Sequence, residues 1–195
     1  MGANIDLGLW QQQFFFIRHG QTDWNQKKIA MGQTDIPLNE RGRQEALQAA
    51  SLLIHRGIKR ICHSPLQRAR QTAELIAGKL SLPCEVIPSL SQCNWGVMQG
   101  QSRGDEAWRT AWRRGEVEIA DAETFNEFCC RVRGGLNQTL MHGEAVLIVA
   151  HGATFAAIQR VLRLADREMQ NCLPLHYLPP EPGKAAWQVA ELTAR

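Results

Sequence analysis

The first pattern along the chain is an apolar run without alternation, Phe14-Phe15-Phe16-Ile17, that stops at Arg18-His19-Gly20. Short unbroken apolar runs mark strands buried on both faces, as in parallel sheets covered by helices. A second run, Ala145-Val146-Leu147-Ile148-Val149-Ala150, ends the same way at His151-Gly152. Between them the period changes to that of helices. Asn39 is placed to cap a helix to about Arg56, with Ala46, Ala50, Leu53 and Ile54 on one face and Gly57 as its stop. Residues 58–63 suit a second strand. Ser64-Pro65 suits a helix start, with Ser64 as cap and Leu66, Ala69, Ala73, Ile76 and Leu80 on its apolar side. A third strand is expected over 84–87, and helices over 105–114, 124–141 (stripe Phe125, Phe128, Val132, Leu136, Leu140; stop Gly143) and 153–164. In the tail, 171–176 and 187–192 read as paired strands at the sheet edge around a turn at 179–183.

A chain of 195 residues with 44% apolar content suits one sizeable core, so a single domain over 1–195 is expected. The net charge of +3 points to no nucleic-acid partner, although basic residues cluster a little from Arg109 to Arg114. No apolar run approaches the ~20 residues of a membrane helix, and the start lacks the basic residues of a secretory signal. Asp6 stands where a myristoylation pattern wants Ser or Thr. A cytoplasmic protein without a membrane partner is the expectation. Residues 1–13 read as a loosely ordered polar lead. The cysteines at 62, 84, 93, 129, 130 and 172 form no Cys-x-x-Cys pair and read as reduced core fillers. Oligomeric state is left open.

Chemistry enters at the ends of the two buried strands. Parallel neighbours present their carboxyl ends on one edge, so His19 and His151 are expected to converge there. His19 can attack through one ring nitrogen if the other is held by a hydrogen bond, and the Arg18 fork matches a phosphoryl group better than a carbonyl. Gly20 would permit a turn that aims the following amides at an anion, while Thr22 and Asn25 add neutral donors. Arg68 lies near a helix start, where it can join free amides facing the same anion. A lone Arg-His-Gly is ordinarily a surface loop; the spacing Arg-His-Gly-x-Thr-x-x-Asn after a buried strand reverses that reading. Trp108 with Trp112, and Arg109 with Arg113, form two helix faces, read as packing and solvated charge or as a basic flap over the phosphate site. His176 reads as structural.

At this point the residues carry a resemblance. Arg18-His19-Gly20-Gln21-Thr22-Asp23-Trp24-Asn25, Gly32, Asp35-Ile36-Pro37-Leu38-Asn39, Ser64-Pro65-Leu66-Gln67-Arg68-Ala69 and Val149-Ala150-His151-Gly152 together resemble the histidine phosphatase superfamily, also called phosphoglycerate mutase-like, from about Phe14 to Leu164. The resemblance implies a three-layer α/β/α fold with a mixed, mostly parallel central sheet, a small flap near 92–122, and phosphoryl transfer through a phosphohistidine. His19 would be the nucleophile. Arg18, Arg68 and His151 would bind the phosphoryl group, with Gly20, Thr22, Asn25, Gly32, Gly152 and Ala153 assisting, and without metal or cofactor. The substrate would be a small phosphorylated metabolite.

One position departs from the family pattern. Short members usually carry the leaving-group acid as Glu in Leu-x-Glu-x-x-x-Gly; here the stretch is Leu90-Ser91-Gln92-Cys93-Asn94-Trp95-Gly96, and Gln92 stands in the acid's place. General acid catalysis contributes ~100 to 10,000-fold, so its loss matters. Another carboxyl group (Asp105, Glu106, Glu123 or Asp35) takes over, or the leaving group departs easily, or the protein binds phosphorylated ligands and hardly hydrolyses them. Phosphomonoester hydrolysis is the leading expectation. A phosphoglycerate mutase is the rival, set back by the short interval between Arg68 and His151, since transfer to a second hydroxyl needs water excluded. Cys62-x-x-x-x-x-Arg68 matches the spacing of cysteine-dependent phosphatases, but Pro65 lacks an amide that a phosphate cradle would use. None of the usual zinc-ligand spacings is present.

Overall fold

Phe14 and Phe16 point to one side of a sheet and Phe15 and Ile17 to the other, and both sides are covered, so all four are buried. Full burial of such side chains contributes ~1.5 to 3 kcal/mol each, and this fixes the strand at the centre of the molecule. In the computed structural model, which describes residues 11–181 and 186–193, that strand is β1 (Phe14–Arg18). With β2 (Arg60–His63), β3 (Cys84–Val86), β4 (Val146–Ala150), β5 (Leu175–Leu178) and β6 (Gln188–Glu191) it forms one sheet in the order β3-β2-β4-β1-β5-β6. The first four strands in that order run parallel; β5 is antiparallel to β1, and β6 to β5. The sheet is therefore mixed and mostly parallel, as expected.

Helices α2 (Glu40–Leu53) and α3 (Gln67–Leu80) pack on Phe15, Ile17, Leu147 and Val149. On the opposite face, α5 (Phe125–Leu140) and α6 (Gly152–Val161) pack on Phe14, Phe16, Val146 and Ile148. Two short helices, α1 (Asp23–Gln26) and α4 (Ala107–Arg114), lie in the loops beyond the carboxyl ends of the strands. The Asn39 cap forms as expected, its side chain accepting from the Gly42 amide at 2.9 Å. Thr124 closes a reciprocal capping box with Glu127 at the start of α5. Among the described residues no helix is long and apolar enough to cross a membrane.

Several local expectations are corrected. Helix α2 stops at Leu53, because Ile54 leaves the helical region (ψ 138°) and turns outward, well before Gly57. Ser64 does not cap α3, which begins three residues later. That task falls to Asp35, whose carboxylate accepts from the Gln67 backbone amide (2.7 Å) and side chain (3.1 Å). The strand expected over 171–176 starts only at Leu175, since Cys172 takes a left-handed conformation (φ 50°) and its amide bonds to Arg18 O at 3.0 Å. Cys84 and Cys130 are exposed rather than core fillers, whereas Cys62, Cys93 and Cys172 are buried. Most of the polar lead and part of the turn at 179–183 lie outside the described residues.

Candidate active site

The register of β1 against β4 pairs Arg18 with Ala150, and the His19 amide donates to Ala150 O at 3.0 Å. The two chains therefore leave the sheet side by side, and the rings of His19 and His151 lie 5.3 Å apart, centroid to centroid, both buried. The backbone is pinned from the far end of the chain, where Asn171 Nδ2 donates to His19 O (2.7 Å) and Arg18 Nη1 donates to Met169 O (3.0 Å).

Each ring has one nitrogen committed. His19 Nδ1 lies 2.7 Å from Gly20 O, to which only a protonated nitrogen can donate, so the lone pair sits on Nε2. His151 Nε2 lies 2.7 Å from Ser64 Oγ. That hydroxyl accepts from the Leu66 amide (3.3 Å), and His151 Nε2 is the acceptor within its reach among the described residues, so its proton is assigned there. The Nδ1–H of His151 then remains as a donor, buried and without a hydrogen-bond partner among the described residues.

Arg68 is the largest fully buried side chain, held by Nη1 to Thr34 O (2.9 Å) and Nη2 to Gly32 O (2.8 Å). A pocket of about 50 Å³ is lined by Arg18, His19, Asn25, Gln92, Arg103, Trp108, Arg109 and Gly152, together with apolar side chains. Gly152 opens α6, whose first amides have no partner within the helix and are suited to an anion. Ala153 follows it and is buried in the core rather than lining the pocket.

The glycine nest expected after His19 does not form. The Gly20 amide donates to Thr72 Oγ1 (3.1 Å), Gln21 N to Glu45 Oε2 (2.9 Å) and Thr22 N to Asn25 Oδ1 (3.2 Å). Gly20 is needed for a different reason: a Cβ there would come within 2.3 Å of Gly42 O on α2. Thr22 is fully buried and forms a capping box with Asn25 rather than lining the pocket. Gly32, at φ +53°, acts through the carbonyl that holds Arg68.

Arg103 was not singled out by the sequence, and the tail residues Met169 and Asn171 were read only as strand or connection. Arg103 lay outside any helix pattern; the tail contacts join positions more than 150 apart. In the tryptophan segment Trp112 is buried in the core, while Trp108 and Arg109 line the pocket. Trp95 packs edge-on against Trp108 and Trp112, and the Arg109 guanidinium lies 6.0 Å from the Trp95 ring centre as it lines the pocket.

The family model for the histidine phosphatase superfamily, branch 1, matches residues 14–178. The chain belongs to the histidine phosphatase superfamily. An Escherichia coli relative named "Probable phosphoglycerate mutase GpmB" is 33% identical, over 82% of this chain and 81% of that protein. The mycobacterial glucosyl-3-phosphoglycerate phosphatase, solved as a complex with VO3, superposes with a TM-score of 0.79 at 26% identity, over 94% of this chain and all of the other. A phosphoglycerate mutase from Thermus thermophilus superposes with a TM-score of 0.72 at 22% identity, over 94% of this chain and all of the other, which is a likeness of fold alone. Phosphatases and mutases of the histidine phosphatase superfamily thus share this architecture, and the fold does not choose between them.

Burial, and then the charges of Arg68 and Arg18, hold His19 well below the ordinary histidine value of 6.5; burial, Arg68, His19 and Arg18 do the same to His151. Burial and neighbouring arginines bring Arg18 down to about 10; burial, opposed by Asp35, does the same to Arg68. Both guanidiniums stay charged at neutral pH while both imidazoles stay neutral. The linkage has a definite sign. Below pH 6.5 the unfolded chain takes up protons that the folded rings refuse, so stability is full above 6.5 and is lost as pH falls toward the folded values. The limiting slope is ~1.4 kcal/mol per pH unit for each histidine. Urea unfolding between pH 7.5 and 5.5 should show this decline, with neither ring taking a proton near pH 6.5 in an NMR titration of the native protein. A ring that titrates at 6.5 in the folded state would contradict the burial argument.

The Cys62 thiol is buried in β2, its pKa pushed up to about 12, and its contact is with Arg60 Nη1 (2.9 Å) rather than Arg68. Among the described residues, Cys62 lines neither the inner nor the outer pocket.

Proposed function

We propose that this chain is a phosphatase that removes the terminal phosphoryl group of a phosphomonoester-type substrate by way of a phosphohistidine on His19. The observation that carries the reading is the uncommitted Nε2 of a neutral, buried His19 at a pocket lined by Arg18, with the His151 ring 5.3 Å from it and the charge of Arg68 acting on both rings. Nε2 attacks phosphorus as the bond to the leaving oxygen breaks. Negative charge spreads over the equatorial oxygens, where two fixed guanidiniums, the His151 N–H, Asn25 and the first amides of α6 receive it. Water then attacks phosphorus, the electron pair returns to Nε2, and phosphate departs.

Gln92 lines the same pocket with Oε1 accepting from the Cys93 amide at 3.1 Å, so this position offers a neutral amide where the family pattern has an acid. The segment 92–122, carrying Arg103, Trp108 and Arg109, would act as the flap. The small pocket borders a larger one of about 570 Å³, with Arg18, Arg103, Arg109 and Gly152 lining both. So large a cavity beside the site leaves room for water as acceptor, which favours hydrolysis over mutase chemistry.

The name of the Escherichia coli relative keeps a mutase as the second reading. The two separate cleanly when 3-phosphoglycerate and an aryl phosphate are each given to the protein. Hydrolysis predicts inorganic phosphate from the aryl ester, inhibited competitively by vanadate, with no 2-phosphoglycerate formed. Isomerisation outpacing phosphate release would select the mutase.

A further inference from the structure

The leaving oxygen is where this site is least like an alkyl-phosphate hydrolase. Among the described residues no carboxyl group lines the inner pocket. The four carboxylates that were alternatives for the missing acid are all engaged. Asp35 caps α3, and Asp105 accepts from the Ala107 amide at 3.0 Å. Glu123 is paired with Arg131 at 2.7 Å, and Glu106 pairs with both Arg103 and Arg109. Of these, only Asp105 and Glu106 reach even the outer pocket.

What the two pockets share is largely cationic: Arg18, Arg103 and Arg109 line both, the last two paired with Glu106. The outer pocket adds Lys28, Arg113 and Arg167, so six cations face three carboxylates, Asp105, Glu106 and Glu168. Its volume is in the range that takes a metabolite-sized ligand. An alcohol leaving without a proton donor would depart as an unstable alkoxide, which arginines cannot protonate. A leaving group that is already a stable anion needs no proton and is drawn to this lining.

We propose that the substrate is a diphosphate, cleaved at its terminal phosphoryl group, with the departing phosphate and whatever it carries held in the outer basic pocket. This rests on the phosphohistidine reading above and specifies its substrate class. The step balances without an acid. The His19 Nε2–P bond forms as the bridging P–O bond breaks, and its electron pair stays on the departing phosphate oxygen, beside Arg103 and Arg109. Water then adds to phosphorus, the N–P bond breaks, and dihydrogen phosphate leaves neutral His19 behind.

The test compares kcat/KM for methyl diphosphate, methyl phosphate, phenyl phosphate and acetyl phosphate with the same protein. Methyl diphosphate should exceed methyl phosphate by at least ~100-fold, the lower range of what a general acid supplies. Gln92→Glu should raise methyl phosphate turnover ~100-fold, narrowing the gap to methyl diphosphate. Arg109→Gln should lower methyl diphosphate turnover ~10-fold more than phenyl phosphate turnover. Methyl phosphate within tenfold of methyl diphosphate in the unaltered protein, or acetyl phosphate outrunning methyl diphosphate, overturns the substrate class. Cleavage of phenyl phosphate but not methyl diphosphate also sinks it, while leaving the phosphatase reading intact. If all four donors are inert, that reading itself fails, and the substrate class with it.

Discussion

Replacing His19 by alanine is expected to lower phosphate release by more than ~10,000-fold, because the nucleophile and its covalent route disappear together. The fold should survive the change. The backbone at this position is held by bonds that do not involve the ring: its amide to Ala150 O (3.0 Å), and its carbonyl accepting from Asn171 Nδ2 (2.7 Å). An unaltered far-UV CD spectrum with activity at background is the predicted pair of results. Activity within tenfold of the parent would assign the attack to another group and remove His19 from the chemistry.

The second large effect is expected at Arg68. Its fork spans two backbone carbonyls while its remaining N–H groups are left for an anion, and its Nε has no partner. Lysine keeps the charge but not the fork, so Arg68→Lys cannot hold Gly32 O and Thr34 O and still present donors to a phosphoryl group. Loss of one well-placed transition-state donor costs ~100 to 1,000-fold in kcat, the expected drop here. Stability should fall as well, by ~1 to 3 kcal/mol, since a buried carbonyl loses its donor. Urea unfolding and steady-state kinetics on the same preparation measure both. A variant with parental kcat and only reduced stability would show that Arg68 braces the Gly32 loop without touching the reaction.

The two fully buried strands are legible from sequence because nothing but burial on both faces explains Phe14 to Ile17 and Val146 to Ala150. Their shared exit into His-Gly is legible for the same reason, and parallel pairing does the rest. Asn39 as a cap and Arg68 near a helix start follow from local rules that need no tertiary information. Other features depend on contacts between distant segments. Gly20 is small because α2 passes over it at Gly42, a packing fact that a turn rule misreads as conformational freedom. Ser64 looks like a helix cap by its neighbours, yet its hydroxyl faces His151, 87 positions away. Asn171, in a segment whose sequence reads as strand, and Met169 just before it serve the site because the chain must return past Arg18 before β5 can begin. Arg103 becomes part of the pocket only when the tryptophan cluster of Trp95, Trp108 and Trp112 folds the segment back over His19.

The central claim is that one ring nitrogen carries the phosphoryl group between donor and water. Rapid mixing with phenyl phosphate, quenching in alkali and peptide mapping by mass spectrometry measures this directly. The account predicts a base-stable, acid-labile phosphate on Nε2 of His19, absent from His19→Ala. Phosphate release with no label on His19 at any time before steady state, or label on His151 or Cys62 instead, would contradict it.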